Sequence, residues 1–145
     1  MFAVDTHLFV YAHFDLYPQH EKARAFCQGL LSSADDWCIG WQVVYEYVRI
    51  TTHPSIHKIP LSIEQALSDL APYLDTDSGH VLTHTAQHRP VLEAVASAVP
   101  TARGNFIHDV HYAALLREHG VSRIYTADSD FEKFGFLEVI DPTAA

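Results

Sequence analysis

Residues Asn105 to Asp128 read NFIHDVHYAALLREHGVSRIYTAD, and the two halves of this stretch follow different periods. In the first half Asp109, Ala113 and Leu116 recur at i, i+4, i+7, flanked by Phe106 and Val110, which predicts a helix from Asn105 to His119. Gly120 follows as a natural stop. In the second half Ser122-Arg123-Ile124-Tyr125-Thr126 is a short strand that runs out at Asp128. A helix feeding a short apolar strand is the repeating unit of a parallel sheet covered by helices.

The rest of the chain repeats the theme. Phe2-Ala3-Val4 reads as a first strand ending at Asp5, followed by a short helix from Thr6 to His13. From Pro18 to about Ser33 a helical period puts Ala23, Phe26, Cys27, Leu30 and Leu31 on one side. Trp37-Cys38-Ile39 is a second strand, and a helix from about Gln42 to Thr52 is closed by His53-Pro54. Ser62 stands three residues before Gln65 as a capping pair for a helix carrying Ala66, Leu67, Leu70 and Leu74. Gly79 to Leu82 makes a third strand, Pro90 to Ala98 a helix, Asp130 to Lys133 a helical turn, and Leu137 to Ile140 a last strand. The expectation is an α/β fold with a mostly parallel sheet of four to five strands and helices on both faces.

Composition sets bounds on class. The 145 residues suit one domain, 1–145, and 48% hydrophobic with 19% charged residues excludes a disordered chain. No apolar run approaches the roughly 18 residues that cross a bilayer, and the N-terminus has no basic, long-apolar leader pattern, so a cytoplasmic protein without a membrane partner is expected. Cys27 and Cys38 fall in no metal-binding or redox spacing and read as free thiols. The formal net charge of -9, with nine Lys and Arg, opposes a nucleic-acid binder, unless carboxylates are gathered where divalent cations would reverse the local field.

Carboxylates fall where such a cluster can form. Asp5 and Asp128 stand at the carboxyl ends of two strands, the edge at which open α/β sheets bind ligands. Each could equally be a helix cap or turn residue. Asp109 interrupts an apolar stripe, a costly position for an unpaired charge, although a helix N-terminus also favours aspartate. Glu46 borders the stripe of Val43, Tyr47 and Ile50. Four such acids brought together would repel one another without a hard cation, and one or two Mg²⁺ or Mn²⁺ ions would let them hold a phosphodiester and activate a water.

Val4-Asp5-Thr6, Tyr45-Glu46, Ile107-His108-Asp109-Val110-His111 and Thr126-Ala127-Asp128-Ser129-Asp130-Phe131 resemble, in order and spacing, the four acidic motifs of PIN domains, specifically the VapC-type toxins of bacterial toxin–antitoxin pairs. Asp5-Thr6-His7-Leu8-Phe9, Trp41-Gln42-Val43 and Arg103-Gly104-Asn105 add to the likeness, which runs over essentially the whole chain. The resemblance implies a three-layer α/β/α fold and a Mg²⁺- or Mn²⁺-dependent endoribonuclease that hydrolyses RNA, leaving 5′-phosphate and 3′-hydroxyl ends. It further implies a homodimer and a small cognate antitoxin. Under it Asp5, Glu46, Asp109 and Asp128 are catalytic metal ligands, Asp130 is an auxiliary acid, and Thr126 sets hydrogen bonds in the site. His7 and His53 depart from residues common in the family. Arg49 and Tyr11, with Phe14 and Tyr17, are the candidate substrate groups at the rim, since RNA readers stack splayed bases on aromatics and arginine.

Two other readings compete. A phosphatase with an aspartyl nucleophile after the first strand needs a second Asp two residues on, where this chain has His7. A PIN-like interaction module without catalysis is favoured by the charge and opposed by retention of all four acids. His80, His84 and His88 repeat every four residues, but His80 falls on a predicted strand, so the three share no helical face and read as surface histidines.

Overall fold

The computed structural model describes residues 1–145. Its elements are β1 (Phe2–Val4), α1 (Thr6–His13), α2 (His20–Leu30), β2 (Trp37–Gly40), α3 (Trp41–Thr51), α4 (Ile63–Asp75), β3 (Gly79–Leu82), α5 (His88–Ala98), α6 (Phe106–Glu118), β4 (Arg123–Tyr125), a 3₁₀ turn (Ser129–Lys133) and β5 (Glu138–Ile140). The five strands lie in the order β3-β2-β1-β4-β5, and every neighbouring pair is parallel. The expected elements are all present, with no end moved by more than three residues. The second helix is shorter than its apolar period suggested, which leaves Leu31 beyond its end at 41% exposure. The helix expected from Pro90 instead begins at His88, because a proline in the first turn gives up an N–H that has no intrahelical partner anyway.

Each parallel connection crosses from one strand to the next through helices. Right-handed crossovers place α1 to α4 on one face as the chain steps outward from β1 to β3. They place α5 and α6 on the other face as it returns to β4. The packing agrees: α1 lies on α2 and α3, α3 on α4, and α5 on α6. Ala3 pairs with both Cys38 and Ile124, so β1 is the middle of the sheet, and Ala3 and Val4 are fully buried. Burial of Cys27 and Cys38 pushes both free thiols up to about 12, which keeps them protonated and unreactive.

Local chemistry fixes the element ends. Ser62 and Gln65 form a reciprocal capping box at the start of α4. Gly120, at φ 71°, takes the left-handed conformation that ends α6 and turns the chain into β4. Gly79 permits a close approach: a Cβ there would stand 2.6 Å from the Trp37 ring and 2.8 Å from the Tyr73 carbonyl. Tyr112 sends its hydroxyl to the Val4 carbonyl at 2.7 Å, pinning α6 over the end of β1. Asp109, one turn earlier on the same side of α6, is thereby carried to the carboxyl edge of the sheet.

Candidate active site at the carboxyl edge of the sheet

The carboxyl ends of β1 and β4 deliver Asp5 and Asp128 side by side. The backbone N–H of Asp5 donates to the Tyr125 carbonyl at 3.0 Å, continuing the ladder past β1. The Asp5 carboxylate then has both oxygens engaged: Oδ1 accepts from the Thr6 N–H at 2.8 Å, and Oδ2 from the Thr126 hydroxyl at 2.7 Å. Thr126 also accepts from the Asp128 N–H at 2.9 Å, and Asp128 Oδ1 accepts from the Asp130 N–H at 2.8 Å. The alternative reading of these two aspartates therefore holds alongside the functional one. Asp5 is the N-cap of α1 and Asp128 that of the 3₁₀ turn, and both face the same cluster.

The tightest grouping is Asp109, Asp128 and Asp130, which can each offer an oxygen within 4.8 Å of the others. Asp130, expected as an auxiliary acid, thus belongs to the centre of the cluster; its Oδ1 also meets Lys133 at 3.1 Å. Asp5 and Glu46 flank this trio. Glu46, on α3, faces His7 at 3.9 Å, and Arg49 lies one turn further along the same helix. One pocket is lined by Asp5, Glu46, Arg49, His108, Asp109 and Tyr112, among others. Arg49 is the only Lys or Arg in that lining.

The electrostatics are those of a cluster built for a cation. Burial raises the Asp5 carboxyl above its ordinary range, against the hydrogen bond from Thr126. Burial and the Asp5 charge raise Glu46, while His7 and Arg49 pull it down. Asp109 is pushed up to about 7, first by burial and then by Asp5, Asp128, Glu46 and Asp130. Half-buried carboxylates that destabilise one another in this way, with oxygen donors only, fit a hard divalent ion that keeps some of its waters.

The expected substrate groups divide. Arg49 lines the pocket. Tyr11 does not; its ring sits between His7 and Tyr17, with centroids 5.9 and 4.9 Å away. Phe14 and Tyr17 are turned inward onto His57, a buried histidine. Phe14 stacks on its ring at 3.9 Å, and the Tyr17 hydroxyl meets His57 Nε2 at 2.9 Å while His57 Nδ1 meets the Ile50 carbonyl. These two rings were expected at the rim because nothing in the spacing of residues marks His57, 40 residues beyond Tyr17, as their partner. Conversely, Gln42, His108 and His111 line the pocket without having been singled out for it. The Gln42 side-chain nitrogen is buried with no hydrogen-bond partner.

Comparison with known proteins agrees with this architecture. Residues 2–137 match the PIN domain family, and the chain belongs to it. Among curated relatives, ribonuclease VapC48 of Mycobacterium tuberculosis is 30% identical over 138 residues, covering 95% of this chain and 94% of the relative. Ribonuclease VapC37 of the same organism is 31% identical over 141 residues, 97% and 96% of the two chains. Among solved structures, the VapBC2 complex of Rickettsia felis bound to a promoter DNA fragment superposes with a TM-score of 0.68 at 16% identity, covering 96% of both chains. VapC20 of Mycobacterium tuberculosis, described as a toxin that cleaves the sarcin–ricin loop, superposes at 0.65 with 20% identity, covering 96% and 98%. At those identities the structures speak to the fold, a three-layer α/β/α sandwich.

Proposed function

We propose that this chain, as one PIN domain over residues 1–145, is the toxin of a toxin–antitoxin pair and an endoribonuclease that hydrolyses RNA with Mg²⁺ or Mn²⁺. The convergence of Asp5, Glu46, Asp109, Asp128 and Asp130 at one sheet edge, with Asp109 driven up to about 7 by burial and then by its neighbours, carries this reading. The full-length likeness to VapC ribonucleases supports it.

Asp109, Asp128 and Asp130 would hold the ion, with Asp5 and Glu46 completing its surroundings. When bound, the ion neutralises charge on the scissile phosphate and lowers the pKa of a water for attack. The chain's own groups do the rest. Thr126 and the Thr6 N–H fix both oxygens of Asp5 before substrate arrives, so little reorganisation is left for the reaction. Arg49 offers the pocket's fixed positive charge to a phosphate of the backbone. Glu46, raised by burial and by Asp5, would accept the proton given up by the attacking water. Water adds to phosphorus, the bond to the 3′ oxygen breaks, that oxygen takes up a proton from solvent, and the products carry 5′-phosphate and 3′-hydroxyl ends.

Three features of biology come with the reading: a small antitoxin that covers the acidic edge, a homodimer, and a cytoplasmic location. No helix is long and apolar enough to cross a membrane. The experiment is incubation of the purified, antitoxin-free protein with total bacterial RNA and Mg²⁺ or Mn²⁺, beside EDTA and an Asp5→Asn variant, which keeps a capping oxygen on α1. Discrete, metal-requiring cleavage that the variant lacks is expected. Absence of cleavage by the folded protein under every metal condition would instead favour an interaction module that keeps the fold alone.

A further inference from the structure

Beside the carboxylates, the same edge carries a second group of metal-binding side chains with different donor chemistry. His84 lies in the loop after β3, His88 is the first residue of α5, and His111 is on α6. One ring nitrogen from each lies within 4.8 Å of the other two. His84 Nε2 and His111 Nε2 face one another at 2.7 Å, and neither ring has another hydrogen-bond partner. His80, which shares the period of four, is elsewhere, bonded to Asp36 at 3.1 Å.

The surroundings hold these rings in place. Glu118 of α6 accepts through Oε1 from His88 Nδ1 at 2.5 Å. Its Oε2 accepts from both the N–H and the hydroxyl of Thr85, at 2.9 and 2.7 Å. His119 Nε2 reaches the Thr83 carbonyl at 2.6 Å, so the loop is clamped to α6 on both sides of His84. With Nδ1 committed to a carboxylate, the lone pair of His88 is on Nε2. A carboxylate that orients and enriches an imidazole is the recurring support of histidine–metal sites.

We propose that His84, His88 and His111 form a binding site for a borderline transition-metal ion, Zn²⁺ foremost, with Glu118 as the group that orients His88. Three imidazoles suit such an ion and not Mg²⁺, which takes oxygen ligands, so the two clusters sort their metals by donor type. Bound nitrogens of a tetrahedral Zn²⁺ stand about 3.4 Å apart, given Zn–N bonds of about 2.0–2.1 Å, so the 2.7 Å pair needs to open only slightly. Three protein ligands leave a fourth position open, and His84 is exposed to solvent. The ion would tie the β3–α5 loop to α6 two residues beyond Asp109, where His111 also lines the acidic pocket.

The test is a binding titration, independent of cleavage. Untagged protein stripped with chelator is given excess Mg²⁺ to occupy the carboxylates and then titrated with Co²⁺, followed by its visible spectrum, and with Zn²⁺ in competition. One ion per chain is expected, with the strong absorption of a four-coordinate nitrogen-rich Co²⁺ site, displaced by Zn²⁺. His88→Ala and His111→Ala should abolish it, Asp128→Asn should leave it intact, and Glu118→Gln should weaken it by about 10- to 100-fold. His84→Ala, on the exposed loop, covers the case in which a helical variant fails to fold, and circular dichroism of each metal-free variant decides that. A weak six-coordinate Co²⁺ spectrum, binding that survives the histidine substitutions in folded protein, or binding lost in Asp128→Asn would overturn the proposal.

Discussion

Replacing Asp109 with asparagine should make the metal-free protein more stable at alkaline pH, although it removes a residue of the site. In the folded chain burial, followed by the charges of Asp5, Asp128, Glu46 and Asp130, raises this carboxyl from 3.8 to about 7. Taken at face value that disfavours the charged form by about 4 kcal/mol. The carboxyl is only half-buried, and solvent screening reduces the realised cost to about 1–2 kcal/mol. The folded protein holds the Asp109 proton more tightly than the unfolded chain does. Unfolding therefore releases a proton between about pH 4 and 7, and metal-free stability rises as pH falls through that window. Asp109→Asn is neutral at every pH and nearly isosteric. In EDTA at pH 8 it should melt about 3–6 °C above the parent, and the gap should close toward pH 4.5. Saturating Mn²⁺ at pH 8 should reverse the order, since a bound ion stabilises the parent by about 2.7 kcal/mol at a hundredfold excess over its dissociation constant. Thermal unfolding by circular dichroism in the three conditions is sufficient. A variant that melts below the parent in EDTA at pH 8, or a gap that does not shrink on acidification, would refute the account of Asp109 as a repelled charge.

Thr126→Val removes a buried hydroxyl that donates to Asp5 and accepts from the Asp128 N–H, and should cost about 1–3 kcal/mol in urea unfolding while lowering the cleavage rate. Tyr17→Phe loses the bond to His57 and should cost about 0.5–1.5 kcal/mol in the same assay, with the cleavage rate unchanged because Tyr17 is outside the lining of the acidic pocket. Arg49→Ala should raise KM for RNA more than it lowers kcat, and should flatten the dependence of binding on salt, measured by filter binding from low to moderate ionic strength. The hydrogen bond to Asp69 raises the pKa of His13, so this contribution is fully present below the unfolded value of 6.5 and fades as pH rises through the folded value. His13→Ala should therefore cost about 0.5–1 kcal/mol at pH 5.5 and less at pH 9, by urea titration at each pH.

Much of this molecule is legible from local pattern. The strands are short apolar runs, and Asp5 and Asp128 can be found because a parallel sheet presents its carboxyl ends to ligands. Their neighbours in space are another matter. Asp130 follows Asp128 by two residues, yet only the 3₁₀ turn brings it to Asp109. Glu46 sits at the polar border of an amphipathic helix, where composition cannot separate a solvated glutamate from a site residue; the family likeness supplied it. The histidines illustrate the same limit. A period of four suggests His80, His84 and His88, but β3 ends at Leu82 and α5 begins at His88, so the period crosses a strand and a loop. The partner that joins the last two is His111, 27 residues beyond His84 and visible only after α5 packs on α6. Side chains that fill space, such as Phe14 on His57, carry no periodic mark at all.

The strand order has a consequence for synthesis. β1 emerges first yet occupies the middle of the sheet, and its second neighbour, β4, is Arg123–Tyr125. Between Asp5 and Asp128 the ribosome must add 123 residues, about 6–25 s at ordinary elongation rates of about 5–20 residues per second. Until then β1 keeps one edge unpaired, and the acids already made, Asp5, Glu46 and Asp109, lack Asp128 and Asp130. A site that draws on the ends of both β1 and β4 is complete only once Asp128 and Asp130 have been added. Chains broken off before Asp128 lack the complete cluster.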